Sequence, residues 1–516
     1  MPMGLTAPLW LITSVSLAIV GSVLAFGLGH DFERPKALCL SVAAAMLIPR
    51  ACLIWPTWPR HVRAAALIWL LVLAAAVLCA LDPARALIGS FERSQGGFIL
   101  VCCTIFALAR VPTSIIVAPV AVVMCVIGVW ALAQFFGVES AIFSALGFLQ
   151  PSSETGWQDA FGGRAFASFG NPMALGNWLA MAWVFLFSVR FQAGYFQIDH
   201  SNRSALSMRM LECALFFGSV GVLLSGTRAA WLALSIVALL QLRQKKLVRI
   251  IGLAAFAGLV IALLSIRTDS VRARFELAGA ALSRANITLV DGLGNCDPYP
   301  SVRLWLGYGP DLQVALLEEH LPQRAVGTMP DRAHQMLLDG YLSIGVLGIA
   351  SWLGLMWALW RSHIASNVVT NSGTAFALLA ALITWQFGFA LNAEKALFAL
   401  LLGSMCAPRF QEVGLSSAAA MPIQHRVWPN IFAILFAIFS MLSYMPQSVL
   451  SLDKVAPWRR PERAIVHFER ARLAIMENQG ELAERELGQA VALDPWRSDL
   501  ARAKANLTRE LGHNSP

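Results

Sequence analysis

The residues best suited to chemistry sit at the mouth of an apolar run. Pro330-Asp331-Arg332-Ala333-His334-Gln335-Met336-Leu337-Leu338-Asp339-Gly340 closes the one long polar segment of the chain and leads into an apolar block beginning near Tyr341. Charge beside hydrocarbon is costly unless it faces water or a partner. A histidine titrates near neutral pH, so His334 in this setting can exchange a proton with a reacting group. Asp331 precedes it by about one helical turn, the spacing needed to orient the ring if the segment is helical there. The plain alternative is a structural histidine beside a membrane helix.

Arginines supply a second kind of chemistry. Ser225-Gly226-Thr227-Arg228 joins two apolar runs. A glycine makes the turn and an arginine opens the next helix, where backbone N–H groups and the helix dipole also favour an anion. The motif looks like half of a phosphate site, or else like an ordinary helix hairpin with a snorkelled arginine. In the long polar segment Arg303 precedes Leu306-Gly307-Tyr308-Gly309-Pro310-Asp311, a turn that leads into an expected helix over 311–320. A guanidinium holds phosphate oxygens in a fork. Arg93 and Arg164 are further arginines on the same set of loops.

The elements that must position these residues are membrane helices. With 57% hydrophobic and only 13% charged residues, 516 residues have too little polar surface for a water-soluble globule. The apolar runs are about 15–24 residues long, enough for helices to cross hydrocarbon, and they lack the alternation of a membrane barrel. Expected spans lie near 8–28, 37–55, 64–81, 97–110, 114–136, 171–189, 207–224, 229–242, 250–266, 337–360, 373–391, 396–407 and 429–448, the fourth and twelfth being short. The first run lacks a basic lead and a cleavage site and reads as a retained helix. Of nine cysteines only Cys296 falls in a clearly polar loop, which argues against a disulfide framework.

Orientation follows from the basic residues of alternate loops. Arg60 with Arg63, Arg190 with Arg203, the run Arg243-Gln244-Lys245-Lys246-Leu247-Val248-Arg249, Arg361, and Arg409 with Arg426 place one set, and the N-terminus, in the cytoplasm. The other set faces the periplasm of a Gram-negative cell. It comprises Asp31-Phe32-Glu33-Arg34-Pro35-Lys36, Phe91-Glu92-Arg93-Ser94-Gln95-Gly96, 137–170, Ser225 to Arg228, the loop 267–336, and Asn392-Ala393-Glu394-Lys395. Basic residues in translocated loops run against the bias, so Arg93, Arg228 and Lys395 call for compensation by a bound anion, a carboxylate or headgroups.

Two segments stand apart in composition. A loop as long as 267–336 exceeds an ordinary connection and is expected to be a lid or binding surface, with Glu318, Glu319 and Arg324 solvating an amphipathic helix. From Arg463 to about Leu511 the chain turns charged and alanine-rich at helical spacing. Ala483, Leu487 and Ala490 before Leu493-Asp494-Pro495 resemble the second helix and terminal proline of a tetratricopeptide repeat, although Ala474 stands where a bulky aromatic is expected. One such unit cannot bury its apolar face alone. It should dock on the membrane body, on a protein partner or on a second copy, or else be a plain amphipathic tail. The expected division is 1–450, a transmembrane domain, and 451–516, a periplasmic helical tail.

The order of Gly170-Asn171-Pro172, Ser225-Gly226-Thr227-Arg228, Gly307-Tyr308-Gly309-Pro310, Asp331-Arg332-Ala333-His334 and Gly345-Val346-Leu347-Gly348 resembles the O-antigen ligase superfamily. That superfamily also includes O-antigen polymerases and bacterial protein O-oligosaccharyltransferases. The resemblance covers roughly residues 85 to 405 and includes Phe91-Glu92-Arg93-Ser94-Gln95-Gly96. Many relatives carry Asn after the motif histidine where this chain has Gln335.

The resemblance implies an all-α polytopic membrane protein of about 12–13 helices, similar to the GT-C type, with a large periplasmic loop. It implies a metal-independent inverting glycosyltransferase of the bacterial inner membrane, acting on its periplasmic face. The donor would be an undecaprenyl-diphosphate-linked glycan, and the acceptor lipid A-core, a second lipid-linked repeat, or a protein hydroxyl. Arg228 matches the arginine that binds the donor diphosphate and His334 the essential histidine. Arg303 is a looser match to a second arginine, Arg93 and Arg164 are further donor-side candidates, and Asp331, Arg332 and Tyr308 support them. The chemistry suits these residue types: arginines stabilise charge growing on the leaving diphosphate, and His334 takes the proton of the attacking hydroxyl. Neither cofactor nor nucleic acid is expected. A transporter is the distant alternative, since intramembrane charge also marks substrate pathways.

Overall fold

The structure is a computed structural model, and it describes residues 8–25, 33–90, 93–139, 163–195, 205–241, 279, 296–312, 335–365, 372–407, 424–444, 460–477, 479–496 and 498–513. Among these the regular structure is helical, with no strand. Seven helices among the described residues are long and apolar enough to cross a membrane: Arg34–Thr57, Arg60–Leu78, Thr113–Phe135, Pro172–Arg190, Met208–Ser225, Met336–Ile364 and Val427–Tyr444. Shorter apolar helices occupy Leu9–Leu24, Gly97–Leu108, Arg228–Leu240 and Gly373–Trp385. The protein is therefore a helical multi-pass membrane protein. Of the expected spans, 250–266 lies outside the described residues, and every other one coincides with a helix.

The chain divides into two compact units. The first combines 1–66, 101–268 and 354–444; the second combines 67–100, 269–353 and 445–516. The composition boundary near 450 separates unlike sequences, yet the C-terminal helices group in space with 67–100 and 269–353.

In the first unit Thr113–Phe135 packs on Ala205–Ser225, Pro172–Tyr195 on Ser372–Trp385, and Gln424–Tyr444 on Arg34–Ile54. Backbones approach closely at glycines. A Cβ on Gly128 would stand 2.4 Å from the Phe217 carbonyl oxygen, and one on Gly403 would stand 2.4 Å from that of Ala107. Small residues at such crossings are how helices without a hydrophobic drive between them gain dispersion contact. Asn392–Met405 is short because it is enclosed: every residue but Lys395 is buried.

Polar contacts at the helix ends join loops of the same alternating set. At one end Lys36 Nζ donates to Glu33 Oε1 at 2.9 Å and to the Ser168 carbonyl at 2.6 Å. At the same end Trp385 Nε1 donates to Glu394 Oε2 at 2.9 Å, and Glu394 is coupled electrostatically to Lys395 and Glu33. At the other end Arg50 caps the Gly97–Leu108 helix, donating to the Ala109 and Arg110 carbonyls at 2.8 and 3.2 Å. Trp58 Nε1 reaches the Leu108 carbonyl at 3.2 Å, and the Arg110 guanidinium lies 3.5 Å over the Trp58 ring. His363 Nδ1 meets the Met405 carbonyl at 2.9 Å.

In the second unit three helices, Arg460–Met476, Gly480–Leu493 and Ser498–His513, make the C-terminal bundle. Ala471, Ala474, Ala483, Leu487 and Leu507 share one core with Phe468, and Ala464, Ala490, Val491 and Leu500 another. Ala474 fits where an aromatic was expected because Phe468 fills the space from the same helix.

Candidate functional site

The sequence motifs meet in pairs, and local chemistry explains each meeting. Gly170 has φ +63 and ends the short turn Ala167–Phe169. Asn171 then accepts from the Met173 N–H at 2.8 Å and Pro172 opens the helix, the usual division of labour between an N-cap and a proline at the first helical position. Thr227 Oγ1 donates to the Pro172 carbonyl at 2.8 Å. Gly176 makes room for this contact, since a Cβ there would meet Thr227 Cβ at 2.5 Å and Ser225 Oγ at 2.8 Å. The Gly-Asn-Pro and Ser-Gly-Thr-Arg motifs are thus the two faces of one junction.

Arg164 belongs to that junction. Gln134 Oε1 accepts the Phe166 and Ala167 N–H groups at 2.9 and 2.7 Å, and the Ala165 N–H donates to the Leu224 carbonyl at 3.1 Å. This lays Arg164 over Gly226, whose φ is +58 and whose Cβ, if it had one, would stand 2.9 Å from Arg164 Cδ. Arg228 follows two residues later as the first residue of Arg228–Gln241. Both arginines are half-buried. An arginine stem lies over a glycine turn and a second arginine opens the helix that follows, residue types suited to phosphate oxygens.

The second pairing lies in the second unit. The helix Met336–Ala365 is broken at Gly345, where φ is 65° and ψ −171°. A break inside an apolar segment leaves carbonyls in need of donors. The Tyr308 and Gly309 N–H groups donate to the Leu342 and Ser343 carbonyls at 2.7 and 3.0 Å. Such closeness needs two glycines: a Cβ on Gly307 would stand 2.5 Å from Ser343 C, and one on Gly345 would stand 2.4 Å from Trp305 O. The Gly-Tyr-Gly-Pro and Gly-Val-Leu-Gly motifs are therefore a backbone hook and its eye.

Arg303 holds that hook. Its Nε donates to Asp297 Oδ2 at 2.7 Å and its Nη2 to Asp297 Oδ1, while Nη1 donates to the carbonyls of Cys79 at 2.6 Å and Gly307 at 3.2 Å. The side chains of Arg303 and Asp297 are 1% and 0% exposed. The expectation that Arg303 binds a diphosphate gives way to a structural role, because its donors are spent inside the protein. Tyr308 is 2% exposed, its ring 5.4 Å from the Arg303 guanidinium, and its carbonyl accepts from the Leu81 N–H at 3.0 Å. It too acts as framework.

Arg93 sits half-buried on a tight loop. Ser90 donates to Asp311 Oδ2 through N–H at 2.6 Å and through Oγ at 2.9 Å, and the Gln95 N–H joins them at 3.2 Å. Asp311 has φ +62, so it is a turn residue that ties two loops rather than the start of the expected helix; residues 313–320 lie outside the described ones.

His334, Asp331 and Arg332 also lie outside the described residues. The description resumes at Gln335, whose Oε1 accepts from the Leu338 N–H at 3.2 Å and so caps the Met336–Ala365 helix. That is the task an Asn at this position would also perform. Arg164 and Arg228 fall in the first unit, Arg93, Arg303 and Tyr308 in the second. Asp297 and Asp311 were missed in the sequence. Asp297 stands six residues before Arg303, and Asp311 closes the Gly-Tyr-Gly-Pro turn, so both were within reach of a search for arginine and turn partners.

No model of a known protein family matches the chain, and no curated protein matches it either.

Proposed function

We propose that the chain is a glycosyltransferase of the bacterial inner membrane that moves a glycan from an undecaprenyl-diphosphate donor to a hydroxyl on the periplasmic face. The favoured acceptor is lipid A-core, as in O-antigen ligation. What supports this reading above all is the junction of Arg164, Gly226 and Arg228, in which one half-buried arginine lies over the glycine turn and a second opens the helix that follows. Breaking the sugar–phosphate bond puts negative charge on the departing diphosphate. Cations already in place there stabilise the transition state more than the ground state.

In this reading Arg228, with Arg164, holds the diphosphate, and Arg93 is a further donor-side candidate. His334 takes the proton of the attacking hydroxyl. The anomeric carbon is attacked from the face opposite the leaving diphosphate, so configuration inverts. Arg303, Asp297 and Tyr308 support the hook that shapes the outer loop.

Deletion followed by analysis of lipopolysaccharide tests the proposal. Core lacking polymer while lipid-linked polymer accumulates is the expected result. Core carrying a single repeat would instead assign a polymerase, and unchanged lipopolysaccharide with an unglycosylated protein would assign an oligosaccharyltransferase. Purified protein that moves no glycan from a lipid diphosphate to any of these acceptors would sink the whole reading and reopen that of a transporter.

A further inference from the structure

Among the described residues of the second unit a buried ion pair links the C-terminal bundle to the short helix before Arg93. Arg85 Nη1 donates to Asp494 Oδ1 at 3.2 Å and Oδ2 at 3.0 Å, across 409 residues of sequence, and the two side chains are 3% and 2% exposed. A charge pair that excludes water so completely holds its geometry firmly, since separating it leaves an uncompensated buried charge.

Both partners are set by their own local structure. Asp494 is the C-cap of Gly480–Leu493, its N–H donating to the Ala490 carbonyl at 3.0 Å, and Pro495 stops the helix from continuing. Arg85 lies in the short helix Pro83–Ile88, whose N-cap Asp82 accepts from the Ala84 and Arg85 N–H groups at 3.0 and 3.1 Å. That helix ends at Gly89, with φ +103, and a Cβ on Gly89 would stand 2.3 Å from Gln95 N. Ser90 and Gln95, which flank Arg93 in sequence, are both tied to the Asp311 carboxylate. Asp311 follows directly on the Gly307-Tyr308-Gly309-Pro310 hook seated in the broken membrane helix.

We propose that Arg85 and Asp494 are positioning residues, through which the C-terminal bundle holds the 83–96 loop and its Arg93 in place for the donor. The tail is then a working part of the outer face rather than an appendage awaiting a partner. The donor clause rests on the function proposed above; the positioning of the loop does not.

The test uses the full chain in detergent or nanodiscs with four forms: wild type, Arg85→Asp, Asp494→Arg, and the charge-swapped double variant. Hydrogen exchange reads the loop directly, and transfer kinetics read the donor. In each single variant amide exchange over 83–96 should quicken about tenfold or more while that of Pro172–Tyr195 stays unchanged, because only the local unit opens. KM for the lipid-linked donor should rise about tenfold with a smaller change in kcat, as expected when ground-state and transition-state binding fall together. The double variant should recover both. Unchanged exchange over 83–96 in the single variants overturns the positioning role, whatever happens to transfer. Quickened exchange with an unchanged donor KM overturns the link to the donor. Should wild-type protein transfer no glycan, the proposed function falls and takes the donor clause with it, while exchange still decides the positioning of the loop.

Discussion

Replacing Arg303 with Lys is the most revealing perturbation of the 296–312 segment. The guanidinium makes two hydrogen bonds to Asp297 and two to backbone carbonyls, with 1% of its side chain exposed. Lysine keeps the charge but presents an ammonium at one point, which cannot reach both carboxylate oxygens and both carbonyls. Each charge-assisted bond contributes about 1.5–3 kcal/mol, so losing two of them costs about 3–6 kcal/mol. Asp297→Asn weakens the fork and leaves a buried guanidinium without its counter-charge, a loss of about 3–5 kcal/mol. Both figures are comparable to the total stability of an ordinary domain, about 5–15 kcal/mol, so the loop should open before the chain unfolds. Limited proteolysis of detergent-purified protein measures this directly. Cleavage within 296–312 should become fast in either variant, with protection of Pro172–Tyr195 retained. The double change Arg303→Leu with Asp297→Leu should be milder than the sum of the single ones, because neither charge is then stranded. The reasoning is refuted if Arg303→Lys and Asp297→Asn keep wild-type protection while transfer collapses, for then the guanidinium serves a ligand and not the loop.

Other expectations follow from the same geometry. His334→Ala should abolish transfer and leave a monodisperse protein with an unchanged unfolding temperature; full activity would end its assignment as the base. Arg228→Ala should lower kcat by about 10²–10³, the usual loss on removing one electrostatic stabiliser of a transition state, with Arg228→Lys falling between; equal kcat in all three would remove Arg228 from the site. Gly345→Ala places a Cβ 2.4 Å from Trp305 O at a residue with positive φ, so it should unseat the hook and cut the yield of folded protein; normal yield and proteolytic resistance would show that the helix break is not rigid.

Much of the architecture was legible because membrane spans are a local property. Hydropathy summed over one window is enough to announce a helix, since the bilayer core satisfies no backbone group and each segment must satisfy its own. The short spans were also visible, and the structure supplies their reason: Asn392–Met405 is enclosed by other helices and need not face lipid along its length. Motif order was legible too, but its meaning was not. Gly170 and Gly226 read as turn residues; that Gly176 admits Thr227 to the Pro172 carbonyl is decided by how two helices pack.

Sequence by itself determined that this is a helical membrane protein and where its described spans fall. Only tertiary structure decided where the Arg303 guanidinium is bonded. Arg303 and Arg228 look alike in the chain, each an arginine beside a glycine turn. The guanidinium of Arg303 is bonded to Asp297, Cys79 and Gly307, and Arg228 opens a helix two residues after Gly226, which Arg164 overlies. The physical reason is that charge is compensated through space. Asp297 happens to be near Arg303 in sequence, but Cys79 and, for Arg85, Asp494 are not, and no local pattern announces a partner that lies hundreds of residues away.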